Sequence, residues 1–239
     1  MEIEEKCRIL EGICGCVPEN GAGEDEENLL PNFLPLRSYS KLADPKIFLI
    51  TGGRGSGKTE LFRILTSCGG LDYVISEKDR KRYTRLQESE FLTGFIAKGQ
   101  GSKAFPISNV CDELLKKENP ENLNSFWGGL ACVVLLKRFQ HDQDIIGLAE
   151  QYLGIESKNI LIENSSEVSK WWKILDTAKE KWESFLDHTD TILEKRDVHI
   201  CMVYDELDHI CSNYEDLFGY IRSLLDFWYR HNSRFSNIK

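Results

Sequence analysis

The apolar positions of this chain fall into three short continuous runs and several stretches of helical spacing. Ile47-Phe48-Leu49-Ile50 is bounded by Pro45 and by glycines, the pattern of a strand buried on both faces of a parallel sheet. Residues 71–76 (LDYVIS) read as a second strand and residues 198–204 (VHICMVY) as a third buried one. Between the first two, residues 58–67 have helical spacing through Leu61, Ile64 and Leu65, and Gly69-Gly70 ends the pattern.

From 77 to 197 the spacing is mostly helical. Leu123, Phe126, Trp127, Leu130, Val133 and Val134 line one side of a helix, and residues 145–153 predict another. A third and longest helix has Asn164 or Ser165 as its cap and Glu167 in its first turn. Its Val168, Trp171, Leu175, Ala178, Trp182, Phe185 and Ile192 form a heptad seam interrupted by Thr189. Such a seam must pack on something, and a core role in the same domain is the simpler expectation beside a subunit interface. After the third strand, Ser212 and Glu215 have capping-box spacing. Tyr214, Leu217, Phe218, Ile221, Leu224, Leu225 and Trp228 then predict one apolar helical stripe.

Residues 1–45 read as an appendage. A short helix within 2–10 gives way to Cys14-Gly15-Cys16 and to PENGAGEDEE, a linker composition. The following NLLPNFLPLRSYS is expected to be an extended strap, because Pro31 and Pro35 interrupt any helix. The domain proper is expected to span 46–239, with a helical insertion at 77–197.

Composition narrows the class of protein. With 239 residues, 41% hydrophobic and 29% charged, the chain is long enough to bury a core. No apolar run approaches the ~20 residues of a membrane span. The acidic N-terminus lacks the basic start of a secretory signal, so a cytoplasmic location is expected. Eight cysteines without framework spacing point to free thiols. The net charge of −9 argues against a chain that coats nucleic acid over its whole surface.

The candidate chemistry lies at the ends of two predicted strands. Gly52-Gly53-Arg54-Gly55-Ser56-Gly57-Lys58-Thr59 fits G-x-x-x-x-G-K-[ST] between a strand and a helix. Glycines let the backbone wrap an anion so that successive N–H groups and the helix N-terminus face phosphate oxygens. Lys58 would bridge the β- and γ-phosphates, and the Thr59 hydroxyl would ligate Mg²⁺. The bare pattern arises by chance in about one chain of this length in a hundred. The second half is Asp205-Glu206 after the third strand, where open α/β sheets bind ligands. Asp205 would hold Mg²⁺, and Glu206 would orient and deprotonate the attacking water.

ITGGRGSGKTE and MVYDELD together resemble the P-loop ATPases with a catalytic glutamate beside the Walker B aspartate. That group includes AAA+ and the STAND and KAP-type signalling ATPases. The resemblance implies an α/β fold with a mostly parallel sheet, ATP and Mg²⁺ as ligands, and hydrolysis assisted by an arginine finger from a neighbour. It also implies coupling of the nucleotide state to oligomerisation, remodelling or signalling, with a homo-oligomer or a protein effector as partner. ATPases of this look with long helical insertions occur in bacterial anti-phage systems, which adds antiviral defence to the implied roles. In the group, a further strand with a polar sensor residue follows the Walker B helix and lies between the P-loop strand and the Walker B strand. This chain ends at 233–239, where that strand would begin. The 239 residues are therefore expected to be the N-terminal part of a longer protein. A complete chain would instead fit a P-loop kinase, whose two motif strands are neighbours. A low-turnover ATP-dependent switch or scaffold is the remaining alternative.

Other features carry less. Lys78, Arg80, Lys81, Arg82 and Arg85 form a basic cluster around Tyr83, open to nucleic acid or an acidic partner, or a solvated helix face. Cys7, Cys14 and Cys16 lack a nearby fourth zinc ligand. His199, Cys201, His209 and Cys211 read as buried or packing residues rather than a metal site, and Asp208 as a surface acid or one that supports the metal-holding acid from behind.

Overall fold

The computed structural model describes residues 4–8, 30, 33–43, 47, 49–53, 55–67, 70–76, 78, 89–98, 102–106, 111, 123–167 and 179–239. The chain forms two compact units, Met1–Gln87 and Glu88–Lys239. The linker, Arg54, most of the basic cluster, and Trp171 with its neighbours lie outside the described residues.

In the first unit, residues 4–8 are helical as expected. The ordered centre is helix α1 (Lys58–Ser67), which buries Leu61, Phe62, Ile64 and Leu65 on one face and contacts a 3-10 turn at Gly70–Tyr73. That turn replaces the strand expected over 71–76. The Val74 and Ile75 amides both donate to the Leu71 carbonyl. Leu71, Val74 and Ile75 are buried, at the i, i+3, i+4 spacing of a helical turn. The described residues of the 47–50 run are not a strand either. Ile47, Leu49 and Ile50 are 40%, 51% and 46% exposed. An extended run needs a neighbouring strand to pair its N–H and C=O groups, and none occurs among the described residues of this unit. The expected strap is irregular over 33–36 and then forms a 3-10 helix at Arg37–Ala43, where Tyr39 stacks on Phe33.

The second unit is built on a parallel pair of strands, β1 (Ser89–Phe95) and β2 (His199–Tyr204). β1 corrects the expectation that 77–197 is helical: among the described residues the insertion includes this strand, and four helices of nine residues or more follow it. They are α2 (Leu123–Arg138), α3 (Gln143–Tyr152), α4 (Ile155–Glu163) and α5 (Lys179–Lys195). α4 was not foreseen in the apolar spacing; it starts after Gly154, whose φ of 87° only glycine adopts readily. Asn164 closes α4 as its C-cap rather than opening the next helix.

α2 is apolar almost all round and is accordingly the buried centre of the unit, with every residue from Leu123 to Leu136 except Asn124 inside. α5 packs on α2 and α3. Of the described seam positions Trp182, Phe185 and Thr189 are buried, together with Leu186 and Leu193 beside them, whereas Ile192 is half-exposed, so the seam is core up to its last position. Helix α6 (Tyr214–Asn232) is capped by Asn213, whose side chain accepts from the Glu215 amide; Ser212 is not the cap. Its inner face is Leu217, Tyr220, Leu224 and Phe227. The single stripe expected here is corrected: Tyr214 and Phe218 are 72% and 63% exposed, because apolar residues occupy two faces of this helix and one alone meets α2. The Trp127 indole N–H reaches Ser223 Oγ at 2.8 Å to join the two helices.

β2 is the middle of three extended segments. On the edge away from β1, residues 237–239 run parallel to it, with Ile200 bridged to Ile238 and the Ile200 amide donating to Asn237 O at 2.7 Å. Asp190 of α5 holds this segment. Its Oδ1 accepts from the Asn237 and Ile238 amides at 2.7 and 2.8 Å, and its Oδ2 from the Ser236 amide at 2.8 Å. Asp190→Ala strips three backbone donors of their acceptor and is expected to cost roughly 3 kcal/mol in urea unfolding. Asp190→Asn, which keeps a carbonyl oxygen, should cost less.

His231 packs against Trp182, Phe227 and Phe235. Burial, followed by the charges of Arg234 and Arg230, pulls its pKa down to about 4. The folded value lies below the ordinary 6.5, so in that window the unfolded chain binds the proton and the folded one does not. Stability is full above pH 6.5 and falls as pH drops toward 4, by roughly 2 kcal/mol once solvent screening is allowed for. Denaturant midpoints across this range should flatten in His231→Phe.

Candidate functional site

The two motifs lie in different units, the glycine-rich loop in the first and the acidic pair in the second. The loop runs from Gly52 into α1. Gly55 and Gly57 have φ of 78° and 80°, left-handed torsions that side chains resist, so the sequence GSGK is what permits the turn. Lys58 folds back over it: Nζ donates to the Gly52 carbonyl at 2.7 Å, to the Gly53 carbonyl at 2.9 Å and to Ser56 Oγ at 3.4 Å. An ammonium is thereby held across the mouth of the loop, above the N-terminus of a ten-residue helix. First-turn amides there lack intrahelical acceptors and carry the positive end of the helix dipole. Gly52, Gly53, Gly55 and Ser56 are exposed, and Thr59, at the second helical position, is half-buried. Such a surface can receive a polyphosphate.

The acidic pair is set by how β1 and β2 end. Their register is regular from Ser89↔His199 to Thr93↔Val203 and then shifts, so that Phe95 opposes Tyr204. Gly94 is the extra residue of this bulge. A Cβ there would lie 2.6 Å from the Tyr204 ring, so glycine is what lets that ring sit against β1. The Trp228 indole N–H donates to the Tyr204 hydroxyl at 3.1 Å. The ladder continues one step further, with the Asp205 amide donating to Phe95 O at 3.0 Å. Asp205 therefore sits at the carboxyl end of β2 with its backbone fixed. Its Oδ2 is buried without a hydrogen-bond partner, and an unpaired buried carboxylate oxygen is costly unless a cation or water meets it.

Glu206 follows in the left-handed region at φ 53°, ψ 32°. For a residue with a Cβ this costs about 1–2 kcal/mol, and strain of this kind collects at functional sites. Its Oε2 accepts from the Lys98 amide at 2.7 Å, while Oε1 has no hydrogen-bond partner among the described residues. The Lys98 ammonium lies 3.3 Å from His209 Nε2. Asp208 is an exposed surface acid, as expected from the sequence.

Asp205 and Glu206 are thus brought together on the turn that follows β2, and the described residues of 52–57 lead into α1, which opens with Lys58 and Thr59. Each unit offers a donor of the kind Mg²⁺ takes: in the second, Asp205 has a hard oxygen without a hydrogen-bond partner, and in the first, Thr59 has a hydroxyl at the start of α1. Lys98, Gly94 and His209 were not singled out by sequence for this site. No side-chain pattern announces the first two, because the mixed composition of SEFLTGF conceals the strand that carries Gly94 and leads to Lys98. A surface cleft of about 380 Å³, lined by Asp144, Leu148, Ile192, Lys195 and Arg196, contains none of these residues. Among the described residues no helix is long and apolar enough to cross a membrane. The chain matches no protein-family model, no curated protein and no solved structure.

Proposed function

We propose that this protein binds ATP with Mg²⁺ and hydrolyses it. The observation that carries the reading is the loop itself: a glycine turn at positive φ before a helix, with the Lys58 ammonium 2.7–2.9 Å from the loop carbonyls. When triphosphate enters, that ammonium exchanges neutral carbonyl acceptors for anionic oxygens, a stronger partnership. In the first unit the loop amides and Lys58 would bind the β- and γ-phosphates, with the Thr59 hydroxyl as a Mg²⁺ ligand; in the second, Asp205 would be a Mg²⁺ ligand, and the ion would supply neutralisation of developing phosphate charge. Glu206 presents Oε1 to the attacking water and takes its proton.

Two further features support the same reading. The acids follow a parallel strand, at the strand end that binds ligands in open α/β sheets. Residues 237–239 pair with the edge of β2 away from β1, and the resembled group likewise has a further strand after the Walker B helix. The nucleotide state is read out through assembly of copies of this chain or through a protein effector in the cytoplasm, with antiviral defence as the setting the resemblance implies. The test is phosphate release from Mg²⁺·ATP by the wild type, Lys58→Ala and Glu206→Gln. Metal-dependent release that both substitutions suppress supports the proposal; release indifferent to both contradicts it.

A further inference from the structure

We propose that Lys98 is the positioning residue for Glu206, acting through its main-chain N–H, with His209 securing the Lys98 turn. This deepens the reading of Glu206 as general base and rests on it. A general base must offer one oxygen to water while the carboxylate stays in place. Glu206 meets that requirement in an asymmetric way: Oε2 is fixed by the Lys98 amide at 2.7 Å, and Oε1 is left without a partner among the described residues. The bond is charge-assisted, hence short and strong for its class.

Nothing adjacent in sequence supplies this donor; it comes from the residue at the exit of the neighbouring strand. Phe95 is locked to the Asp205 amide at 3.0 Å, so the turn that follows β1 leaves the sheet beside the turn that follows β2. Ile96 is buried and anchors the first residue of that turn. Beyond it, the Lys98 ammonium meets His209 Nε2 at 3.3 Å, while the His209 amide donates to the Glu206 carbonyl at 2.9 Å. Lys98 and His209 therefore close a ring of contacts around Glu206: amide to carboxylate, ammonium to imidazole, amide to carbonyl. The ring also offsets the left-handed backbone of Glu206, which its own side chain does not favour.

Two kinds of substitution separate the parts. Lys98→Ala removes the ammonium and keeps the N–H; Lys98→Pro removes both. The experiment measures kcat and KM for Mg²⁺·ATP in the full chain for Lys98→Ala, Lys98→Pro, His209→Ala and the Lys98→Ala/His209→Ala double variant. Glu206→Gln serves as reference, and thermal midpoints are recorded for all. The expected result is a fall in kcat of about tenfold to a hundredfold in Lys98→Pro with KM unchanged. Lys98→Ala and His209→Ala should each lose a fewfold in kcat, and the double variant no more than either, because they break one contact. A folded Lys98→Pro protein with wild-type kcat overturns the proposal. Should the proline variant not fold, the cycle decides: single variants at wild-type kcat, or losses that multiply, overturn it, and a shared fewfold loss in kcat alone upholds it. If Glu206→Gln itself hydrolyses ATP at the wild-type rate, the assignment of Glu206 fails and the positioning role falls with it. If Glu206→Gln is slow and the Lys98 variants are not, the positioning role fails alone.

Discussion

Lys58→Ala is expected to abolish ATP binding at concentrations that saturate the wild type and to reduce hydrolysis by about a hundredfold or more. The lysine has two tasks. Its ammonium spans the Gly52 and Gly53 carbonyls and so neutralises acceptors that would otherwise face a phosphate. With nucleotide, it is the one full positive charge described in the loop. Alanine leaves the Gly55 and Gly57 torsions intact, so the turn survives while the charge is gone. Lys58 is not part of the buried face of α1, which is Leu61, Phe62, Ile64 and Leu65. A thermal midpoint close to that of the wild type should accompany the loss. Measuring fluorescent-ATP binding and unfolding on the same sample separates lost chemistry from lost fold.

Glu206→Gln is expected to give the opposite split: ATP binding retained and hydrolysis down by about 10²–10⁴-fold. Glutamine has the shape of glutamate and a carbonyl oxygen that still accepts from the Lys98 amide, so the side chain stays where it is. What disappears is the basicity of the second oxygen. A single-turnover assay with bound ATP reads this directly, since the variant should hold unhydrolysed ATP where the wild type holds ADP. Retained turnover would remove Glu206 from the mechanism and leave the loop as a binding site.

How much of this was legible in the sequence depends on how local each feature is. The loop at 52–59 is contiguous chemistry: the positive-φ glycines, the lysine and the helix start are fixed by neighbours in the chain. The acidic pair is equally local, because β2 is a continuous apolar run that ends at Tyr204. Strand β1 was hidden. SEFLTGF carries Glu90 and Thr93 among its apolar residues, and its partner lies over a hundred residues away, so pairing rather than pattern makes it a strand. With β1 went the Lys98 amide, a main-chain donor that no side-chain pattern announces.

Two other differences have the same root. Leu71, Val74 and Ile75 satisfy a short apolar run and a helical turn equally well, and a six-residue window does not separate them. Local bonding to the Leu71 carbonyl decides for the turn. Residues 47–50 have the composition of a buried strand, but apolar side chains do not supply hydrogen-bond partners. The cap of α6 moved by a single residue, from Ser212 to Asn213, since both side chains can serve and only geometry chooses.

That Lys58 and its loop hold a triphosphate with Mg²⁺ is the proposal on which the others depend. Calorimetric titration of the 239-residue chain with a slowly hydrolysed ATP analogue tests it most directly, run with and without Mg²⁺ and beside Lys58→Ala. Saturable binding at one site per chain, tightened by Mg²⁺ and lost in the variant, is the expected result. Absence of binding by the wild type, or binding that Lys58→Ala leaves unchanged, would contradict it.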